Sequence, residues 1–164
     1  NFSVCPLTTH IEIKKVESQI NKAKLVNTIK NLIYFYKTII KKKIQIVVLG
    51  LNPHASKDLP KNNKDIKVVS KVIRNLKDKV DIKGPVSADT AFNKTKSKVY
   101  IGMYHDQVLI PFKIKNKFDG LNITIGKKII RLSPDHGTGK ELIKKPKFIN
   151  NQSFLSCVKF CEKY

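Results

Sequence analysis

Apolar positions along the chain recur at two spacings, and these spacings predict the elements. In residues 24–41 they return every three or four positions, which predicts an amphipathic helix. Residues 44–49 form instead a nearly continuous apolar run, rich in β-branched residues, that ends at Gly50, as is typical of a parallel strand buried on both faces. Ile66, Val69, Ile73 and Leu76 mark a second helix, with Asn63 or Asp65 near its N-cap. A last amphipathic helix is predicted over residues 154–160.

Five shorter apolar segments predict further strands: residues 2–6, 81–83, 99–103, 121–125 and 129–132. Helices that alternate with short buried strands favour an α/β fold with a mostly parallel sheet flanked by helices. Because no repeat or Pro-rich linker divides the sequence, we expect one unit over residues 1–164. No apolar run approaches the roughly 20 residues that a bilayer span requires, which excludes a transmembrane helix.

The charge is the most unusual bulk property: 33 Lys and Arg against 12 Asp and Glu give a net charge of +21. Such an excess suggests nucleic-acid binding. However, only Arg74 and Arg131 are arginines, whereas proteins that read phosphates and bases favour the bidentate Arg side chain. Lys, Ile and Asn, all with AT-rich codons, dominate the composition. We therefore attribute the charge to an AT-biased genome and keep a nucleic-acid-binding module as the less favoured alternative.

The cysteines indicate the compartment. Three of them (Cys5, Cys157 and Cys161), without CxxC spacing, fit a reducing cytoplasm better than a disulfide framework. The sequence has no basic segment followed by an apolar one, so we expect no secretory signal. Cys157 and Cys161 share a predicted helix face with Phe154, so we expect buried packing rather than metal binding.

Three of the four histidines directly follow predicted strands: His10, His54 and His105. The carboxyl ends of parallel strands lie at one edge of a sheet, where functional loops gather. Three imidazoles at that edge could bind a divalent ion and leave positions open for substrate. The alternative for each histidine is a solvated or capping side chain.

Two carboxylates and one glycine-bearing loop lie in the same kind of position. Asp106 follows His105, and Asp89 lies in a Gly- and Pro-containing loop, where a carboxylate serves as a general base, orients a ligating histidine or caps a helix. The segment 133–139 has small residues that would let backbone N–H groups approach a phosphate or ribose. It lacks GxGxxG spacing, so no Rossmann fingerprint is present.

Six segments in order carry a family resemblance: Thr8-Thr9-His10, residues 49–55 (Leu-Gly-Leu-Asn-Pro-His-Ala), Gly84-Pro85 with Ala88-Asp89-Thr90, residues 103–107 (Met-Tyr-His-Asp-Gln), residues 122–126 (Asn-Ile-Thr-Ile-Gly) and residues 135–138 (Asp-His-Gly-Thr). The chain resembles the 4-hydroxythreonine-4-phosphate dehydrogenase family of vitamin B6 biosynthesis. The resemblance covers roughly the C-terminal half of that family's polypeptide.

This resemblance implies an isocitrate/isopropylmalate-dehydrogenase-like fold and a homodimer. The implied reaction is the oxidation of 4-phosphohydroxy-L-threonine by NAD or NADP to 2-amino-3-oxo-4-phosphooxybutanoate, which decarboxylates to 3-amino-2-oxopropyl phosphate. By this resemblance, the ligands of the family's divalent metal (Zn, Mg or Co) correspond to His10, His54 and His105, at a site shared between subunits.

The other family positions fall on three groups of residues. Substrate-binding positions correspond to Lys113, Asn122 and Arg131, catalytic ones to Asp89 and Asp106, and cofactor-side ones to His136, Gly137 and Thr138. Two departures are visible: Ser56-Lys57 replaces the usual Gly-Glu, and Val108 replaces a usual Gly. Because half an active site cannot orient its substrate, a fragment without activity of its own is the main alternative.

Overall fold

The computed structural model describes residues 2–93, 98–117, 119–126, 129–135, 140, 143–145, 147 and 149–164. These residues form two compact units, Asn1–Phe112 and Lys113–Tyr164, which are described separately below. The expectation of one α/β unit over residues 1–164 stays a prediction. No helix among the described residues is long and apolar enough to cross a membrane.

The first unit is built on four parallel strands, β1 (Ser3–Pro6), β2 (Gln45–Leu49), β3 (Ile82–Val86) and β4 (Lys98–Gly102), in the order β1-β4-β2-β3. The two central strands are those with the most continuous apolar sequence, because both of their faces are covered. The predicted parallel sheet flanked by helices is therefore confirmed for this unit.

Helices that begin in the first unit are α1 (Ile13–Gln19), α2 (Lys22–Phe35), α3 (Lys71–Leu76), α4 (Ala88–Ala91) and α5 (His105–Asn116), whose residues from Lys113 onward belong to the second unit. The predicted helix over residues 24–41 is confirmed as α2, which begins at the capping side chain of Asn21 and continues into a π-helical turn, Tyr36–Ile40. A second π-helical turn, Asp65–Ser70, leads into α3. The apolar spacing did not predict α1, α4 or α5.

A small aromatic and aliphatic cluster supports the sheet. Tyr100 of β4 is fully buried against Phe92, with ring centroids 4.6 Å apart, and Val47, Leu49 and Val108 complete the cluster. The Tyr100 hydroxyl donates a hydrogen bond to the Ala91 carbonyl at 3.0 Å, so its polar end is satisfied. Full burial of such side chains contributes about 1.5–3 kcal/mol each.

The second unit is an antiparallel hairpin of β5 (Leu121–Ile125) and β6 (Ile130–Pro134), against which α6 (Gln152–Lys163) packs. These two predicted strands pair with each other in this unit; their alternating exposed and half-buried residues suit a sheet with one open face. The expected burial of Phe154 and Cys161 is wrong, since both are exposed. The buried face of α6 runs instead through Ser153 and Cys157.

Candidate functional site

Loops that follow all four parallel strands carry candidate residues of the first unit. His10 follows β1, His54 follows β2, Asp89 lies in α4 after β3, and His105 with Asp106 begins α5 after β4. Because the strands are parallel, these loops leave the same edge of the sheet. The predicted gathering of these loops therefore follows from the observed topology.

His10 and His105 are brought together. β1 and β4 are neighbouring strands, and the two imidazole rings lie with centroids 5.6 Å apart. A pocket of about 230 Å³ has His10, His105 and Asp106 in its wall, together with Thr8 and Thr9. His10 has a left-handed backbone, with φ of 50°. The pair thus lines a concave site that is open to solvent.

Two histidines each have a carboxylate at Nδ1. His105 Nδ1 lies 2.7 Å from Asp106 Oδ1, and His54 Nδ1 lies 2.9 Å from Asp58 Oδ2. A carboxylate in that position favours the proton on Nδ1 and leaves the lone pair on Nε2, as in many ligating or catalytic histidines. Sequence reasoning missed Asp58, although its i,i+4 spacing from His54 was a usable signal.

The three predicted metal ligands do not all converge. Among the described parts of the chain, no three His, Cys, Asp or Glu side chains form a group that could hold a metal ion. His10 and His105 are adjacent, whereas His54 lies on the next loop and contacts Asp58. One chain by itself therefore does not fit a three-histidine metal centre, and the ligand assignment stays a prediction.

A buried carboxylate fixes the loop that carries His54. Asp65 is fully buried and accepts hydrogen bonds from the backbone N–H of Leu51 (2.6 Å) and Asn52 (3.1 Å), from Asn52 Nδ2 (3.1 Å) and from Ser56 Oγ (2.6 Å). The sequence predicts Asn63 or Asp65 near the N-cap of the following helix. Lys64 is the N-cap, and the Asn63 side-chain oxygen beside it accepts from Ile66 N–H at 3.2 Å, whereas the Asp65 carboxylate binds the loop.

The same loop has an unusual backbone. His54, Ala55 and Ser56 have φ values of 52°, 52° and 61°, in the left-handed region that non-glycine residues rarely adopt. At Gly50, an added Cβ would lie 2.7 Å from Ala55 Cα, so only glycine permits this close approach. Such strain persists where surrounding contacts impose it, and it concentrates at functional sites.

Two further side chains connect neighbouring loops. Thr8 Oγ1 donates to the Met103 carbonyl at 2.7 Å. Gln107 accepts from Met103 N–H at 2.7 Å and donates from Nε2 to the Gly50 carbonyl at 2.7 Å. The loops after β1, β4 and β2 are therefore joined by one set of hydrogen bonds.

Asp89 is exposed in the first turn of α4, and its carboxylate accepts from Thr90 N–H at 2.9 Å. The helix packs beside the turn Pro53–Ser56, so Asp89 belongs to the same edge of the sheet as His54. Its local hydrogen bond is of the capping type that competed with a catalytic role in the sequence interpretation.

In the second unit, the Lys113 ammonium donates to the Asp135 carbonyl at 3.1 Å and lies 3.4 Å from its Oδ2. Asn122 and Arg131 both occupy exposed positions of the hairpin, with Asn122 opposite Ser133 and Arg131 opposite Thr124. The predicted cofactor-side residues His136, Gly137 and Thr138 lie outside the described residues.

Comparison with known proteins gives a consistent result. The family profile of the pyridoxal phosphate biosynthetic protein PdxA matches residues 1–161. A 4-hydroxythreonine-4-phosphate dehydrogenase from a Sulfurihydrogenibium species is 41% identical over 144 residues, which covers 86% of this chain and 45% of that protein. A D-threonate 4-phosphate dehydrogenase from Pectobacterium atrosepticum is 34% identical over 145 residues, covering 86% and 44%.

Solved structures agree on the fold. The crystal structure of 4-hydroxythreonine-4-phosphate dehydrogenase from Klebsiella pneumoniae superposes with a TM-score of 0.77 at 28% identity, over 96% of this chain and 49% of that one. The chain thus spans about half the length of the relatives that it matches.

Proposed function

The chain belongs to the PdxA family, and from this premise we propose that it contributes to a dehydrogenase of pyridoxal phosphate biosynthesis. The proposed reaction is the oxidation of 4-phosphohydroxy-L-threonine by NAD or NADP. The observation that carries it is the family match over residues 1–161. The candidate loops at one sheet edge support it, because a dehydrogenase needs a base and substrate-orienting groups in a single site.

In the proposed reaction, a carboxylate takes the proton of the substrate hydroxyl and a hydride leaves the same carbon for the nicotinamide. The ketone that forms is a β-keto acid, which then loses carbon dioxide. Asp106 is a suitable base because it lies in the pocket wall and contacts the His105 imidazole at 2.7 Å. Asp89 is the second candidate, since its carboxylate is exposed at the same edge.

The cofactors and the finer fold class follow from the family resemblance. We infer that NAD or NADP accepts the hydride, and that a divalent metal (Zn, Mg or Co) belongs to a homodimer rather than to one chain. The three histidines of a single chain do not assemble a metal centre, which is compatible with a site shared between subunits. The isocitrate/isopropylmalate-dehydrogenase-like class and a cytoplasmic location are inferred in the same way.

Two phosphorylated compounds, 4-phosphohydroxy-L-threonine and D-threonate 4-phosphate, are candidate substrates. Lys113, Asn122 and Arg131 are the proposed substrate-binding residues, and cationic side chains bind phosphate well through charge-assisted hydrogen bonds. The Pectobacterium relative acts, by its name, on D-threonate 4-phosphate. Because a phosphate group is common to both compounds, these residues alone do not select between them.

The test is NADH or NADPH formation with each substrate. The chain is assayed alone and together with the part of the Sulfurihydrogenibium relative that this chain does not cover, which the family resemblance implies is the N-terminal half. We expect activity only in the mixture, since half an active site does not orient substrate. His54→Ala should abolish it, whereas Gln45→Met, on an exposed hydrogen bond away from the site, should not.

Absence of reduced cofactor from both samples, in a mixture shown to form a complex, would refute a dehydrogenase role for this chain. Activity that survives His54→Ala would refute the assignment of that histidine. The basic-module alternative predicts instead tight nucleic-acid binding that weakens steeply with salt, as expected for a net charge of +21.

A further inference from the structure

Asp65 is a buried carboxylate that the proposed reaction does not use. It is 0% exposed, and no Lys, Arg or His among the described residues forms an ion pair with it. Removing a carboxylate from water costs several kcal/mol unless hydrogen bonds replace the lost hydration. A side chain in this position therefore needs strong compensating contacts.

Those contacts all come from one segment. The two backbone N–H groups and two side-chain groups that bond to the Asp65 carboxylate belong to Leu51, Asn52 and Ser56. Asn52 Nδ2 also bonds to Ser56 Oγ at 3.1 Å, which closes the network on itself. The carboxylate thus holds both ends of the turn that contains His54.

The turn needs such a restraint. Its three consecutive left-handed residues, His54 to Ser56, each strain the backbone. Hydrogen bonds to a charged group are stronger than those between neutral groups, so four of them can offset this accumulated strain. Without them, the backbone would relax and the imidazole would leave its place at the sheet edge.

We propose that Asp65 is a positioning residue for His54: its carboxylate holds the loop 51–56 in the left-handed turn that presents the imidazole. The value of this position for catalysis rests on the proposed function, whereas the positioning itself does not. Asp65 contacts the loop and not the reacting atoms, so it acts only through His54.

The test uses the full chain with ¹⁵N- and ¹³C-labelled histidine, and it compares Asp65→Asn with the native sequence by NMR. Asn preserves the volume but replaces one acceptor oxygen by a donor. We expect the His54 imidazole resonances to shift, those of His10 to stay, and hydrogen-exchange protection of the Leu51 amide to fall by about tenfold or more.

Ser70→Ala is the matched control, because it removes the 2.7 Å hydrogen bond from Ser70 Oγ to the Asp65 backbone carbonyl and leaves the four bonds to the Asp65 carboxylate. It should leave the His54 resonances in place. A merely structural role of Asp65 would lower stability without a selective change at His54 in the folded chain.

A folded Asp65→Asn chain with native His54 resonances and native Leu51 protection would overturn the proposal. If that variant does not fold, Ser56→Ala removes one of the four hydrogen bonds to the carboxylate, together with the bond that Ser56 Oγ accepts from Asn52 Nδ2, and unchanged His54 resonances would have the same meaning. Failure of the proposed function would be seen separately, because the native chain in the complex would then form no NADH or NADPH. That result would not change what the NMR comparison shows about Asp65 and His54.

Discussion

Gln107 supplies the hydrogen bonds that join the loops after β4 and β2, and its removal should be costly. Gln107→Met keeps the length of the side chain but deletes both bonds, each of 2.7 Å, to Met103 N–H and to the Gly50 carbonyl. Both residues are buried, so each backbone group would lose its partner away from water. An orphaned polar group of this kind costs about 1–3 kcal/mol.

The two losses together should lower the free energy of unfolding by about 2–6 kcal/mol, a large share of the 5–15 kcal/mol typical of a domain. Urea unfolding followed by circular dichroism measures this. Gln45→Met is the matched control, because it removes one exposed bond of 3.0 Å to Asp81. Its effect should stay within about 0.5 kcal/mol.

One outcome of the urea experiment would refute the role of Gln107 as a bridge between loops. If the two glutamine variants unfold at the same urea concentration with the same slope, the buried bridge contributes nothing and the reasoning is refuted. If Gln107→Met changes the slope instead of the midpoint, the variant has altered the unfolding transition itself. The stability difference must then be measured by hydrogen exchange at the Met103 amide.

Three further outcomes are expected. An alanine Cβ at Gly102 would clash with Val108 Cγ1, so Gly102→Ala should cost about 1–3 kcal/mol, and Val108→Ala in the same chain should relieve part of it; strict additivity in a double-mutant cycle would contradict this. Burial raises the pKa of the Cys5 thiol from 9.0 to about 11, so its contribution to stability is complete below pH 9 and is lost as the pH rises through 11; the urea midpoint should fall over that window less steeply in Cys5→Ala. Alkylation followed by mass spectrometry should modify the exposed Cys161 in the native chain, and buried Cys157, whose thiol pKa is raised by burial and then by Cys161, only after unfolding; equal rates would contradict the burial.

Local sequence patterns predicted the elements with a regular pattern of burial. The β-branched run before Gly50 forms β2, which is buried along its length, and the three-and-four spacing forms α2, which is buried along one face. Helix α5 was missed since it contains Pro111 and exposes Ile110 and Ile114, so its apolar residues do not form one stripe.

The site was predicted at the level of loops and not of contacts. Strand order placed His10 beside His105, and parallel strands account for that pairing. The roles of Asp65 and Gln107 depend on partners 9–14 and 57 residues away in sequence, which no local period encodes. Asp65 does lie in the first turn of the predicted helix, but its carboxylate binds the loop 51–56, which the capping preference of Asp did not predict.

The strand order also bears on how the polypeptide is made. β4 is the last parallel strand to be synthesised, yet it lies between β1 and β2. The contact between Thr8 and Met103 spans 95 residues, so β1 can pair with β4 only after the intervening chain has been synthesised. Such non-local pairing is slow and exposes strand edges to aggregation. In a nascent chain that ends before Lys98, β2 and β3 are already present as neighbours, whereas β1 gains its partner among the described strands only when β4 is made.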